Sequence, residues 1–286
     1  MKRFKFIALI AMALGILALS ACSEDTPATI QPDLDVGAIT PLTELPPIWY
    51  VPPNPDPVDV AAWLTVDELL QLSPLVPGEL LATMHTTHGD ITLRFFPQQA
   101  PMAVENFLTH AWDGFYDGIS FHRVIDDFMI QGGCPLGTGT GGHSIWGGTF
   151  GQELDTNLRH FRGALAMAQT AQPQSIGSQF YIVQNTALDS HTRSEFVSML
   201  ENQNEIFAEF ADGSTATIGD VHPEAALRFF LENGGTPHLD MHFSQNPHTV
   251  FGHTVSGMDV VDAIVRAGNG VAIITGFSFH LYGGGE

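Results

Sequence analysis

The chain has 286 residues, 44% of them hydrophobic, with 31 acidic side chains against 10 basic ones. That length suits one large domain or two small ones, and a formal charge of −21 repels phosphate backbones, which excludes nucleic acid as a partner. Charged residues are 14% and aromatics 10%, against wholesale disorder, and two cysteines cannot build a disulfide framework or a cysteine-rich metal site.

Residues 1–21 read as a leader. Lys2, Arg3 and Lys5 precede an apolar run over 6–19 that is short for a membrane span but suits a signal sequence. Without those three cations, 7 basic residues face 31 acids, a formal −24, and no lysine remains. Leu19-Ser20-Ala21-Cys22 resembles the lipobox of bacterial lipoproteins, which implies an acylated Cys22 as mature N-terminus and an extracytoplasmic protein lipid-anchored to a bacterial membrane. An ordinary secretory signal is the alternative. Residues 22–60 hold nine of the 18 prolines and read as a semi-rigid tether, reaching roughly 120 Å at about 3.1 Å per residue. Trp63, Val66, Leu69 and Leu70 have helical spacing, so a short helical lead-in is expected within 61–78.

A folded domain is expected over 79–286. Apolar runs at 80–86 and 91–96 flank the turn Thr87-His88-Gly89-Asp90. Pro101 opens a helix whose buried face is Val104, Phe107, Leu108 and Ala111. Strand-like runs follow at 119–125, 128–131, 163–168, 179–184 and 249–255. A helix over 257–266 has Met258, Val261, Ile264 and Val265 on its apolar side, and 271–281 closes the chain as a strand. Many strands with two helices, out of βαβ alternation, give a mostly β, antiparallel barrel or sandwich with capping helices. Residues 186–236 interrupt the pattern with nine acids against Arg193 and Arg228. This acidic insertion is expected to be partly helical, with a helix over 223–232 ending at Asn233-Gly234-Gly235, and to act as a solvated flap.

Several motifs lead nowhere. Gly137-Thr138-Gly139-Thr140-Gly141-Gly142 lacks the Lys-Ser/Thr and the helix that a phosphate loop needs. His143-Ser144-Ile145 sits in loop context rather than on a nucleophile elbow. His238, His242 and His248 follow no metal-ligand spacing, and Cys134 reads as a structural thiol. Neither a metal nor a cofactor is expected.

What remains is Phe121-His122-Arg123-Val124-Ile125, then Phe128-Met129-Ile130-Gln131-Gly132-Gly133, Ala166-Met167-Ala168-Gln169, Gly177-Ser178-Gln179-Phe180-Tyr181-Ile182, Pro237-His238-Leu239-Asp240 and His248-Thr249-Val250-Phe251-Gly252. In this order, from Leu80 to the C-terminus, they resemble the cyclophilin-type peptidyl-prolyl cis-trans isomerases. The resemblance implies an eight-stranded antiparallel barrel capped by two helices, catalysis by Arg123, and proline-containing polypeptides as substrates. It implies a proline socket of Phe128, Met129, Tyr181 and Leu239 bordered by His248. Gln131 and Gln179 would bond the peptide backbone, and Ala168 and Gln169 would meet the residue before proline. His122 reads as a structural hydrogen-bonder.

The chemistry stands without the family name. Rotation about an X-Pro bond meets a barrier of about 18–20 kcal/mol, because the nitrogen lone pair is delocalised into the carbonyl. A fixed cation that hydrogen-bonds the nitrogen when the lone pair localises favours the twisted state over both planar ends. Guanidinium is always charged and forked. A non-catalytic proline-peptide-binding or holdase module is the rival. The family pattern is departed from at Gln169, at Tyr181, at His238 and in the expanded turn 241–247.

Overall fold

The computed structural model describes residues 39–43, 45, 69–172, 174–210 and 213–283. The leader, Cys22, most of the proline-rich stretch and residues 61–68 lie outside the described residues. In chain order the elements are β1 (Ile39–Pro41), β2 (Leu80–Thr86), β3 (Gly89–Phe95), α1 (Pro101–Trp112), β4 (Arg123–Ile125), β5 (Met129–Gly132), β6 (Ala164–Met167) and β7 (Phe180–Val183). Then come α2 (Ser190–Glu201), β8 (Ile206–Glu209), β9 (Thr215–Thr217), α3 (Ile218–Val221), α4 (Glu224–Asn233), β10 (Val250–Ser256), α5 (Met258–Ala267) and β11 (Ile274–Tyr282).

Nine strands pair antiparallel in the order β1-β11-β2-β3-β10-β6-β7-β5-β4. The far edges meet just before β4 and β11. Phe121 N–H donates to Ala272 O at 3.0 Å, Ile274 N–H to Ile119 O at 2.9 Å, and Ser120 bridges Ile273. That seam brings the eight strands from β11 to β4 round on themselves, so no long edge is left there to attract another chain. The expected strand over 119–125 is thus divided: 119–121 makes the seam and Arg123–Ile125 the hairpin.

The barrel interior is a cluster of aromatic and aliphatic side chains centred on Phe107. Its ring lies 5.0–5.9 Å from those of Phe95, Tyr116, Phe180, Phe251 and Phe277. Helix α1 supplies Val104, Phe107, Leu108 and Ala111, all buried as their spacing requires. Helix α5 supplies Met258, Val261 and Ile264, while Val265 is partly buried. The chain enters α5 through Gly257 at φ +95°, where a Cβ would stand 2.3 Å from Asp90 O. Gly257→Ala should therefore cost at least about 1–2 kcal/mol for the left-handed backbone alone, read as a lower midpoint in urea. An unchanged midpoint would show that α5 can enter by another path.

Two expectations are corrected, on the proline-rich stretch and on the insertion, and the lead-in is described only in part. First, the proline-rich stretch is not tether throughout. β1 pairs with β11 (Thr40 with Leu281), and Leu42 N–H donates to Phe279 O at 2.9 Å. An open strand edge offers main-chain partners that polyproline II lacks, and Pro41 is tolerated because β1 is an edge strand. The expected helical lead-in lies largely outside the described residues; its described part is a 3₁₀ turn, Leu70–Leu72, followed by Ser73 in extended conformation. Second, the insertion is not a solvated flap. Phe196 of α2 and Ala226, Leu227 and Phe230 of α4 are buried with Phe161 in a core of their own, with Leu69 and Leu72 packed against it. The helix ending at Gly234 follows the expected pattern; its C-cap has φ +84°.

Candidate active site

Strand alternation builds the site. In β5, Ile130 packs into the barrel while Met129 belongs to a second apolar cluster. In β7, Phe180 and Ile182 pack inward while Tyr181 and Val183 join Met129. In β6, Leu165 and Met167 go inward and Ala164 and Ala166 outward. Register then lays Arg123 opposite Gln131, Gln131 opposite Tyr181, Tyr181 opposite Ala166, and Ala166 opposite Val250. One row across five strands thus grades from a cation through an amide to an aromatic ring and aliphatic side chains.

The turn Asp126-Asp127, with Asp127 at φ +53°, lifts Phe128 beside Arg123. The guanidinium carbon is 5.7 Å from the ring centroid, within cation–π range. His238 stacks on Phe128 at 5.8 Å. Phe128, Ala168 and Leu239 are partly buried against Met129 and Tyr181. All four residues expected to form the socket therefore share one apolar cluster on the outer wall of the barrel.

Polar groups on the row are ordered by a chain of bonds. Arg123 Nη1 donates to Gln131 Oε1 at 3.1 Å, and Gln131 Nε2 donates to Gln179 Oε1 at 2.9 Å. Gln179 Nε2 donates to Gly139 O and Gly141 O at 3.0 and 2.7 Å. Among the described residues no carboxylate lies within ion-pair distance of Arg123. The guanidinium is exposed, and its described hydrogen bond is to a neutral amide. The glycine-rich loop 137–142 forms one wall of a cavity of about 440 Å³ that adjoins Gln131, Ala168, Gln169 and Gln179.

The expanded turn engages Gln169 and carries His248. Gln169 Nε2 donates to Asn246 Oδ1 and Pro247 O at 3.1 and 2.9 Å, so its amide nitrogen is engaged by the expanded turn. That turn delivers His248 to the socket. Its N–H donates to Leu239 O at 3.1 Å, and its ring meets Tyr181 edge-on at 5.7 Å. Burial first, then the neighbouring His160, pushes its pKa down to about 4, so at neutral pH the ring is uncharged. The His122 ring nitrogens make no hydrogen bond among the described residues; the expected structural bond is absent, and burial and Arg123 lower its pKa. Cys134 is buried as expected. Burial raises its thiol pKa, but N–H groups of Gly141, Thr138, Leu136 and Gly139 outweigh that and lower it.

Sequence reasoning assigned no role to His160 or to Asp240, although Asp240 lies in the motif Pro237-His238-Leu239-Asp240; both contact the socket from behind. Tyr181 Oη is 2.9 Å from His160 Nε2, and His160 Nδ1 is 2.6 Å from Asp240 Oδ1. The available signal was the hydroxyl of Tyr181 itself, which needs a partner when buried. Among the described residues no three histidine, cysteine or acidic side chains are grouped as a metal ion would require.

A sequence profile described as cyclophilin type peptidyl-prolyl cis-trans isomerase matches residues 81–273. A Staphylococcus aureus (strain USA300) protein carrying a peptidyl-prolyl cis-trans isomerase name is 43% identical over 189 residues, 66% of this chain and 82% of that one. A Staphylococcus haemolyticus protein of the same name is 42% identical over 189 residues with the same coverage. Among solved structures, a Cryptosporidium parvum cyclophilin-type isomerase crystallised in the presence of the dipeptide Ala-Pro aligns with TM-score 0.48 and 25% identity over 70% of this chain and 98% of that one. With the match spanning most of the described barrel, and the relatives covered over most of their length, the chain belongs to the cyclophilin-type peptidyl-prolyl cis-trans isomerases.

Proposed function

We propose that this isomerase turns X-Pro bonds of exported polypeptides through Arg123, and that it does so while lipid-anchored by Cys22 to the outer side of a bacterial membrane. One observation carries the catalytic part. An arginine without a carboxylate partner among the described residues bonds to Gln131 and lies over the ring of Phe128, which packs against the apolar cluster. The proline ring enters between Phe128, Met129, Tyr181 and Leu239, where its methylenes leave water. Gln131 and Gln179 meet the peptide backbone, with Ala168 and Gln169 beside the preceding residue. The guanidinium then donates to the imide nitrogen as its lone pair localises. A rate gain of about 10⁵ requires only about 7 kcal/mol of differential stabilisation, and the rotation involves no bond to another atom and no proton transfer. The assay is protease-coupled isomerisation of a proline peptide by the full chain, compared with Arg123→Ala.

The leader supports the location. Three cations, a short apolar run and Leu-Ser-Ala-Cys precede the proline-rich stretch 22–60, within which β1 docks on the barrel. Proline isomerisation takes tens of seconds uncatalysed, so a folding catalyst outside the membrane would serve chains that have just been exported. Two acyl chains on Cys22 would anchor stably where one would not. In a bacterial host, the full chain should take up labelled palmitate and sediment with membranes, and Cys22→Ala should do neither. A wild-type chain that stays unlabelled and soluble would overturn the anchor.

A further inference from the structure

Tyr181 places a hydroxyl on a wall that should be apolar. The structure shows where that hydroxyl goes. Tyr181 is 4% exposed, and behind it His160 and Asp240 are 1% and 3% exposed. Asp240 Oδ1 accepts from the His160 main-chain N–H at 2.7 Å and faces its ring Nδ1 at 2.6 Å. With Asp240 as a carboxylate and the imidazole in its neutral form, the ring proton sits on Nδ1 and Nε2 is left as an acceptor. The 2.9 Å contact between Nε2 and Tyr181 Oη is then a bond donated by the phenol, away from the socket. Asp240 Oδ2 makes no hydrogen bond among the described residues, so the described bonds of this carboxylate go to His160.

The three groups come from separate parts of the fold. Tyr181 is on β7, His160 lies in the segment before β6, and Asp240 caps the 3₁₀ turn Pro237–Leu239. That turn carries Leu239, which packs against the same socket cluster as Tyr181. A line of two hydrogen bonds therefore ties Tyr181 to the turn that carries Leu239, with the His160 and Tyr181 rings 15° apart in plane and their centroids at 6.1 Å.

We propose that His160 and Asp240 are positioning residues for the isomerase reaction: they draw the Tyr181 hydroxyl into the barrel wall and so set the spacing and dryness of the proline socket. This rests on the reading of the cluster as that socket. The proline ring occupies the socket in the cis, trans and twisted states alike, so the effect falls on binding, in KM, and not on kcat.

The test compares four full-length proteins in the peptide assay. Tyr181→Phe, which removes the hydroxyl, sets the reference KM against which the loss of His160 is read. His160→Leu leaves the hydroxyl buried without a partner and should raise KM about 10- to 100-fold, the scale of such an orphan group, with kcat little changed. The double variant His160→Leu/Tyr181→Phe removes the orphan and should have the KM of Tyr181→Phe, with no further loss from His160→Leu. A histidine that merely braced the loop would give a double variant as impaired as His160→Leu, and that result, or an unchanged KM in His160→Leu, overturns the proposal. If His160→Leu does not fold, imidazole nitrogen NMR of the wild type decides. The Nε2 signal of His160 should move when an Ala-Pro peptide is added and should shift towards that of a free acceptor in Tyr181→Phe; a signal indifferent to both overturns the proposal. Failure of the socket reading is separately visible, as an Arg123→Ala variant with undiminished activity.

Discussion

Arg123→Ala is expected to lower kcat for a proline peptide by about 10²–10³-fold, the usual size for loss of one preorganised donor in a transition state, with the circular dichroism spectrum unchanged. The side chain is exposed, and its one described hydrogen bond is to the Gln131 amide, so its removal leaves no buried group unpaired. The loss should appear in kcat because the bond to the imide nitrogen strengthens only as the nitrogen becomes pyramidal. Arg123→Lys should recover little. A lysine keeps the charge but lacks the planar fork that lets one N–H rest on Gln131 while another addresses the substrate. Gln131→Ala should fall between the two by releasing the guanidinium. If Arg123→Ala retained full turnover, the attribution of catalysis to this residue would fail. If wild type and variant bound peptide equally with no turnover in either, a binding module would be the better description.

Stability should decline steeply as pH falls from about 6.5 to 4. Three histidines are held neutral in the folded protein. His222 is pushed to about 3 by burial and then by Arg159; His253 to about 3 by burial and then by Arg94; His248 to about 4 by burial and then by His160. In the unfolded chain each titrates near 6.5. Across that window the unfolded state binds protons that the folded state refuses, so acid favours unfolding. The stabilisation is complete above about pH 6.5 and is lost as pH falls towards the folded values. Each group contributes a slope of at most about 1.4 kcal/mol per pH unit, and the three together about 4, comparable with the whole stability of many domains within two or three units. Calorimetry should show Tm dropping between pH 7 and 5. A Tm independent of pH over that range would mean that these rings are solvated or charged in the fold.

The barrel was legible because its strands and capping helices carry local signatures. Ile130 and Met129, or Phe180 and Tyr181, differ in the face they take, and alternation is written residue by residue. α1 and α5 announce themselves through apolar spacing and through Pro101 and Gly257. The socket was legible by resemblance, because Arg123, Phe128, Met129 and Gln131 crowd into nine residues of one hairpin. The insertion was harder to read. α2 buries Phe196 while its other face stays wet, and β8 shows two successive exposed residues, Ile206 and Phe207, which no single face explains. Its helices are held by burial against Phe161 and Leu72, residues distant in sequence.

The order of residues alone determined which side chains could supply a fixed cation, an apolar pocket and amide hydrogen bonds, because those capacities belong to side-chain chemistry and to the period of a strand. Tertiary structure alone decided which groups stand behind the pocket and what becomes of the proline-rich stretch. His160 and Asp240 are 80 residues apart, and β1 finds its partner some 240 residues downstream on β11. Such pairings depend on which edges and hydroxyls the closed barrel leaves unpaired, a property of the assembled surface that no local pattern encodes.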